Sequence, residues 1–179
     1  IKDLGGPENV RIGSTLASVI AYDPDGPDIA ILKVNRILGN TCLPLMSPDQ
    51  NVHSFIAAGF QLYGKNYLAR EIKGDLGDKV ELLFRNQSSR ASAWDIEIDE
   101  NYRLQPGFSG APVVDPVSGN VIGIISHRQD KGKSGLAISI NSVADIWNNF
   151  PDNFFKIPQS TTLERPIRSK HPKLPQSDT

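Results

Sequence analysis

An all-β fold, a barrel or sandwich of short strands, is what this sequence predicts, and three observations carry the expectation. Apolar runs of about 5–8 residues recur along the chain between turn signals. The turns draw on 15 glycines and 13 prolines. One stretch alone, Ser142 to Phe150, has helical spacing, with Val143, Ile146, Trp147 and Phe150 on one face and Pro151 as its stop. Strands are expected at Val10 to Ile12, Leu16 to Tyr22, Ile29 to Val34, Phe55 to Phe60, Tyr67 to Lys73 and Lys79 to Phe84. Four more are expected at Trp94 to Ile98, Ala111 to Val114, Val121 to Ser126 and Gly135 to Ile140. The stretch 38–52 mixes turn formers with apolar anchors and reads as a connection. Residues 156–179 hold Pro158, Pro166, Pro172 and Pro175 with Arg165, Arg168, Lys170 and Lys173 between them. That composition reads as a solvated linker toward another domain or a tail, the alternative being a patch for an anionic partner.

Composition narrows the function classes. At 179 residues the chain is long enough for a real core. Net charge is −1 with 22% charged residues of both signs, so no basic field gathers nucleic acid. No apolar run approaches the ~20 residues of a membrane span. Cys42 is the single cysteine, which excludes an intramolecular disulfide. It reads as a small buried or half-buried thiol. A disulfide-free chain leans toward a reducing cytoplasm, and a periplasmic home is compatible with it. Three scattered histidines and one cysteine give no metal-ligand spacing, and no cofactor is expected.

The densest chemical signal is Gly107-Phe108-Ser109-Gly110-Ala111-Pro112-Val113. A serine between glycines on a tight turn can present its hydroxyl as a nucleophile. The N–H groups of Gly107 and Ser109 could then form an oxyanion hole, often the largest electrostatic contribution in acyl transfer. An ordinary Gly-rich hairpin turn is the competing reading. Far upstream, Asp28-Ile29-Ala30-Ile31-Leu32-Lys33-Val34 places an aspartate between a turn and a β-rich run.

These segments, in this order, resemble the trypsin-like (chymotrypsin-fold) serine peptidases. In that family an Asp-Ile-Ala-φ-Leu-Lys segment carries the triad aspartate and G-x-S-G-x-P carries the nucleophile. Gly123-Ile124-Ile125-Ser126 resembles the strand lining the substrate cleft, and Gly135 to Ile140 the next strand. The likeness covers roughly Val10 to Pro151. Its style is that of compact bacterial members without disulfides, such as HtrA-type proteases and the trypsin-like domains of bacterial conflict proteins. It implies a double β-barrel with a short C-terminal helix. Residues 1–37 would be the remnant of an incomplete N-terminal barrel, 38–52 the interbarrel link, 53–155 the C-terminal barrel with its closing helix, and 156–179 the linker or tail.

The resemblance also implies roles. Ser109 is the expected nucleophile, and Gly107 with Ser109 the oxyanion hole. Asp28 would orient the catalytic histidine, or would be a plain turn residue. Ser126, His127 and Arg128 would present backbone to an extended protein or peptide substrate, and Gly135 would keep the primary specificity pocket open. Arg103, six before the nucleophile, takes the position that sets the floor of that pocket. A guanidinium there would favour acidic or small residues before the cut, unless it points to solvent or pairs with Asp99 or Glu100.

One triad member is missing. The family order is His, Asp, Ser, yet none of the 27 residues before Asp28 is histidine. Without a base a serine hydroxyl is a weak nucleophile. His53 falls just before the strand expected at Phe55 to Phe60, where the family has an interbarrel loop, His127 directly follows Ser126 at the cleft, and His171 falls in the proline-rich tail. The expectation is therefore a serine endopeptidase whose histidine lies upstream of residue 1, in a longer protein with possible further domains. This chain alone would then be inactive. The alternative is a non-catalytic relative that keeps the barrel as a peptide-binding or scaffolding module.

Overall fold

The computed structural model describes residues 10–36, 38–39, 42–48, 52–84, 90–151 and 155–156. Strands dominate, as the alternating apolar pattern requires. A three-stranded antiparallel sheet comes first: β1 (Arg11–Ile12), β2 (Thr15–Tyr22) and β3 (Ala30–Val34), in that spatial order. Gly13, at φ 60°, opens the two-residue turn that sets Ile12 opposite Thr15. β3 then runs back along β2, with a bulge between Val19 and Ala21. Three strands cannot close on themselves. Leu16, Ile20 and Tyr22 accordingly remain exposed on β2, and the N-terminal barrel is incomplete among the described residues.

The second unit does close. β5 (Ser54–Tyr63), β6 (Asn66–Leu83), β7 (Arg90–Ile98), β8 (Pro112–Val114), β9 (Val121–Gln129) and β10 (Ser134–Ser139) follow the short strand β4 (Leu45–Met46). Antiparallel pairings run β5–β6, β6–β7, β7–β10, β10–β9, β9–β8 and β8–β5. The ring of six leaves no open edge in its middle. Phe55, Ala57, Ile72, Ile96, Ile98, Val113, Ile122, Ile125 and Ala137 fill its interior. β4 adds outside the ring, parallel to β9 through Leu45 and Val121, and β11 (Phe155–Lys156) lies parallel to β4.

β9 explains how the two units meet. Its run Val121-Ile122-Gly123-Ile124-Ile125 is apolar on both faces, the pattern of a strand covered from both sides. Ile122 and Ile125 enter the barrel. Val121 and Ile124 face a second cluster with Ile29 and Ile31 of the N-terminal unit, Ile138, Ile140 and the helical segment. The start of β3 is thus pinned to the outside of the barrel.

The differences from the sequence expectation have local causes. The two strands expected at 67–73 and 79–84 are one long strand, β6, with a register shift between Leu76 and Lys79. β4 and β11 are two-residue pairings too short to leave a pattern. The helix α1 covers only Ser142–Ile146. Trp147 is already extended, at φ −117° and ψ 94°, since Asn148, Asn149 and the pre-proline Phe150 favour non-helical backbone. The predicted apolar face survives that shortening. Val143, Ile146, Trp147 and Phe150 all join the second cluster, and Trp147 meets Phe150 edge to face at 5.8 Å. Cys42, expected to be buried at least in part, is exposed. It sits on the surface of the connection, beside the exposed Leu43.

Barrel closure yields a stability prediction. Ile96 is 0% exposed and Leu83, on β6, is 66% exposed. Ile96→Ala should cost about 2–5 kcal/mol in urea unfolding, whereas Leu83→Ala should stay within about 0.5 kcal/mol. Equal midpoint shifts in the two variants would contradict the barrel interior assigned here.

Candidate active site

The turn 106–110 feeds β8, and β8 lies between β5 and β9 in the ring. The turn therefore has a strand on either side. Toward β9, Gly110 N–H donates to the Ile125 carbonyl at 2.8 Å, and Ile125 N–H to the Ala111 carbonyl at 2.9 Å. Toward β5, Gly107 lies directly on the Phe60 carbonyl oxygen, where any Cβ would collide. Gly107 also has φ 104°, a region that strains residues with a side chain. Both facts require glycine at this position.

Phe108 anchors the turn. Its ring is 1% exposed and belongs to the barrel core. It lies on the bare backbone of Gly59, where an added Cβ would stand 2.6 Å from Cδ1. The sequence motif treats this position as variable, so nothing in the pattern marked it. The facing glycine on β5 was the available signal. With Phe108 held inside, its neighbours Gly107 and Ser109 are exposed.

The donors around Ser109 are then countable. Phe108 N–H donates to the Gln105 carbonyl at 3.3 Å and Ala111 N–H to the Phe108 carbonyl at 2.9 Å. The N–H groups of Gly107 and Ser109 have no acceptor among the described residues. Ser109 Oγ donates to the Ser126 carbonyl at 3.3 Å. The Ser126 side chain, buried under β9, pairs its Oγ with His127 Nδ1 at 2.8 Å. Ser109, Gly107, Ser126 and His127 therefore gather at one end of the barrel.

Other expected site residues lie differently. Asp28 is exposed just before β3, between the buried Pro27 and Ile29, and makes no hydrogen bond to Ser109, Ser126 or a described histidine. His53 precedes β5. Phe60 is seven positions further on, roughly 20 Å of strand, so His53 lies at the far end from the turn. No described histidine hydrogen-bonds Ser109, and His171 lies outside the described residues. Arg128 is exposed near the end of β9. Gly135, opposite Arg128 on β10, was expected to hold a pocket open. The space at its missing side chain is instead occupied by the His127 carbonyl and by Leu104 Cδ2, 2.9 Å from where a Cβ would stand. Leu104 is a buried residue that the sequence reading passed over.

Arg103 bonds to its own loop. Its Nη1 donates to the Glu100 carbonyl at 2.9 Å and to the Tyr102 carbonyl. It lines a groove of about 460 Å³ with Gln61 and Arg70 of the β5–β6 hairpin, Asn101 and Gln105. That groove lies on the β5 side of the turn and has no lining residue from β9 or β10. No group of three or more possible metal ligands occurs among the described residues, and none of their helices is long and apolar enough to cross a membrane.

A closed six-stranded barrel with a partial first sheet packed outside it, and an exposed serine on a glycine-walled turn, defines a chymotrypsin-like β-barrel protein. Residues 9–124 match the family model of the trypsin-like peptidase domain, and the chain belongs to that family of peptide-bond hydrolases. Solved structures agree on the fold. The inactive form of Rv3671c from M. tuberculosis H37Rv, a serine-to-alanine mutant, is similar at TM-score 0.56 and 21% identity, over 76% of this chain and 67% of that one. The active form of the Rv3671c protease from M. tuberculosis matches at TM-score 0.56 and 22% identity, over 73% of this chain and 56% of that one. The chain thus spans between about half and two thirds of these relatives. No curated protein sequence matches it.

The wedge at Gly107 can be tested directly. Gly107→Ala should lose at least about 1–3 kcal/mol through its backbone conformation alone and should displace Ser109. Thermal unfolding and reactivity of Ser109 toward a fluorophosphonate check both. Unchanged stability would mean that the turn is free of the Phe60 carbonyl.

Proposed function

We propose that this chain carries the nucleophile of a serine endopeptidase that cleaves peptide bonds through an acyl-enzyme at Ser109. One observation carries the reading. An exposed hydroxyl stands between glycines while the N–H groups of Gly107 and Ser109 are left uncommitted. Ser109 Oγ would add to the scissile carbonyl carbon as a base removes its proton. The carbonyl oxygen takes up negative charge, which the two N–H groups are available to stabilise. The C–N bond then breaks, and the amine leaves with the proton returned by the base. Water hydrolyses the remaining ester by the same route.

The base in this reading is a histidine contributed by sequence preceding residue 1 in a longer protein. Neither described histidine is bonded to Ser109. Asp28 makes no hydrogen bond among the described residues, so its carboxylate is available to orient an imidazole and stabilise its charged form. The acyl side of an extended peptide would pair with β9 at residues 126–128. β8 pairs with β9 only as far as Ile124, which leaves that edge of β9 open to β-augmentation. Leu104 beside Gly135 supports a small, uncharged residue before the cut and gives no carboxylate to attract Lys or Arg. Protein or peptide is the substrate class, and nothing in the mechanism calls for a metal or cofactor.

The test uses the longer protein with its upstream sequence. A fluorophosphonate should label it, and Ser109→Ala should abolish the label. Asp28→Asn should keep the fold and lower amidase turnover by about 10⁴-fold, because the histidine would be held in the wrong tautomer. A label that survives Ser109→Ala would place the nucleophile elsewhere. A correctly folded, unlabelled protein would make the barrel a non-catalytic peptide-binding module.

A further inference from the structure

The β5–β6 hairpin reaches past the end of the barrel. Its pairing runs to Tyr63 and Asn66, well beyond Gly59, the last buried residue of β5. Side chains alternate along a strand. Ala57, Gly59 and Gln61 therefore share the inward face of β5, and Arg70 and Ile72 continue it on β6. Ala57, Gly59 and Ile72 are buried in the barrel. Gln61 and Arg70 overhang its mouth and close one side of the groove whose other side is Asn101, Arg103 and Gln105.

The groove is rich in donors and net positive. Arg103 spends one nitrogen on two carbonyl groups and keeps the rest of its five-donor fork. The Arg70 guanidinium makes no hydrogen bond among the described residues, and neither arginine has a carboxylate within salt-bridge distance there. The one acid in the lining, Glu71, already faces Lys73 at 3.6 Å. Three amide side chains, Gln61, Asn101 and Gln105, add neutral donors.

Position supplies the function. The turn leans on β9 through Gly110 and on β5 through Gly107. A peptide that pairs with β9 on its acyl side and crosses Ser109 must leave toward β5 and the hairpin. We infer that the groove binds the leaving-group side of the substrate and selects an Asp or Glu side chain there, with Arg70 and Arg103 as the specificity-determining residues. The acid would fall within the first few residues past the cut. This moves the acid-selecting role of Arg103 from the residue before the cut to those after it. The inference rests on Ser109 being the nucleophile.

Binding of the leaving peptide tests this without turnover. The probe is a ten-residue Gly/Ser peptide with a free N-terminus, an amidated C-terminus, fluorescein at its far end and Glu at positions two to four. A second probe carries Lys at those positions. Anisotropy against the full-length protein should show the Glu probe bound on the order of tenfold more tightly, with the preference weakened by salt. Arg70→Glu should abolish or invert the preference, and Arg70→Lys should retain its sign. Arg70 is exposed, so these changes leave the barrel core untouched. Equal binding of the two probes, or a preference unchanged in Arg70→Glu, overturns the inference. Fluorophosphonate labelling of the wild type separates the two readings. If labelling succeeds and the preference is absent, the groove assignment falls. If labelling fails and the preference persists, the hydrolase reading falls and the groove stands as an acidic-peptide site.

Discussion

The contact between the backbone of Gly107 and the carbonyl of Phe60 is the constraint on which the site depends. It brings the turn so close to β5 that no side chain fits, and it sets the positive φ of Gly107. Phe108 completes the wedge from below by filling the barrel against Gly59, and Gly110 fixes the other flank to Ile125. Three fixings within four residues leave little freedom. The result is a turn that leaves Ser109 exposed and the N–H groups of Gly107 and Ser109 without an acceptor among the described residues.

That turn needs a rigid support, and the closed barrel supplies it. A ring of six antiparallel strands satisfies its own backbone donors and acceptors, so its interior can be almost wholly apolar. β9 adds a second duty, since both of its faces are buried. Its outer face receives Ile29, the residue after Asp28. The packing of one isoleucine thus determines where the aspartate stands relative to the barrel. The open sheet β1–β3 carries the exposed apolar side chains Leu16, Ile20 and Tyr22 on β2.

The same architecture divides the surroundings of Ser109 into two sides of different chemistry. On the β9 side, residues 126–128 lie beyond the β8 ladder, with only the Ser126 carbonyl engaged, by Ser109 Oγ, and the neighbouring wall is the buried Leu104. On the β5 side, a hairpin longer than the barrel overhangs a groove lined by arginines and amides. In the proposed binding mode, a peptide lying across the turn would meet main-chain hydrogen bonding before the serine and charge after it. The two sides could therefore be tuned independently, because they belong to different strands and share only the turn.

Much of this was legible in the sequence. The strand runs, the apolar face of residues 143–150 and the serine turn all follow from local rules of alternation, helical periodicity and glycine conformation. The family also showed in the residues, because the aspartate and serine segments are short and chemically specific. What the sequence left undecided was everything set by contact between distant segments. Phe108 became an anchor because Gly59, forty-nine residues earlier, lies beneath it. Gly135 became a packing position because Leu104 crosses over it. Arg103 turned toward the hairpin because its guanidinium is bonded to the carbonyls of its own loop while Arg70 overhangs from β6. Local sequence determines which residues can turn, extend or coil. Which side of a turn a long side chain faces depends on the strands packed beside it, and only the tertiary structure decides that.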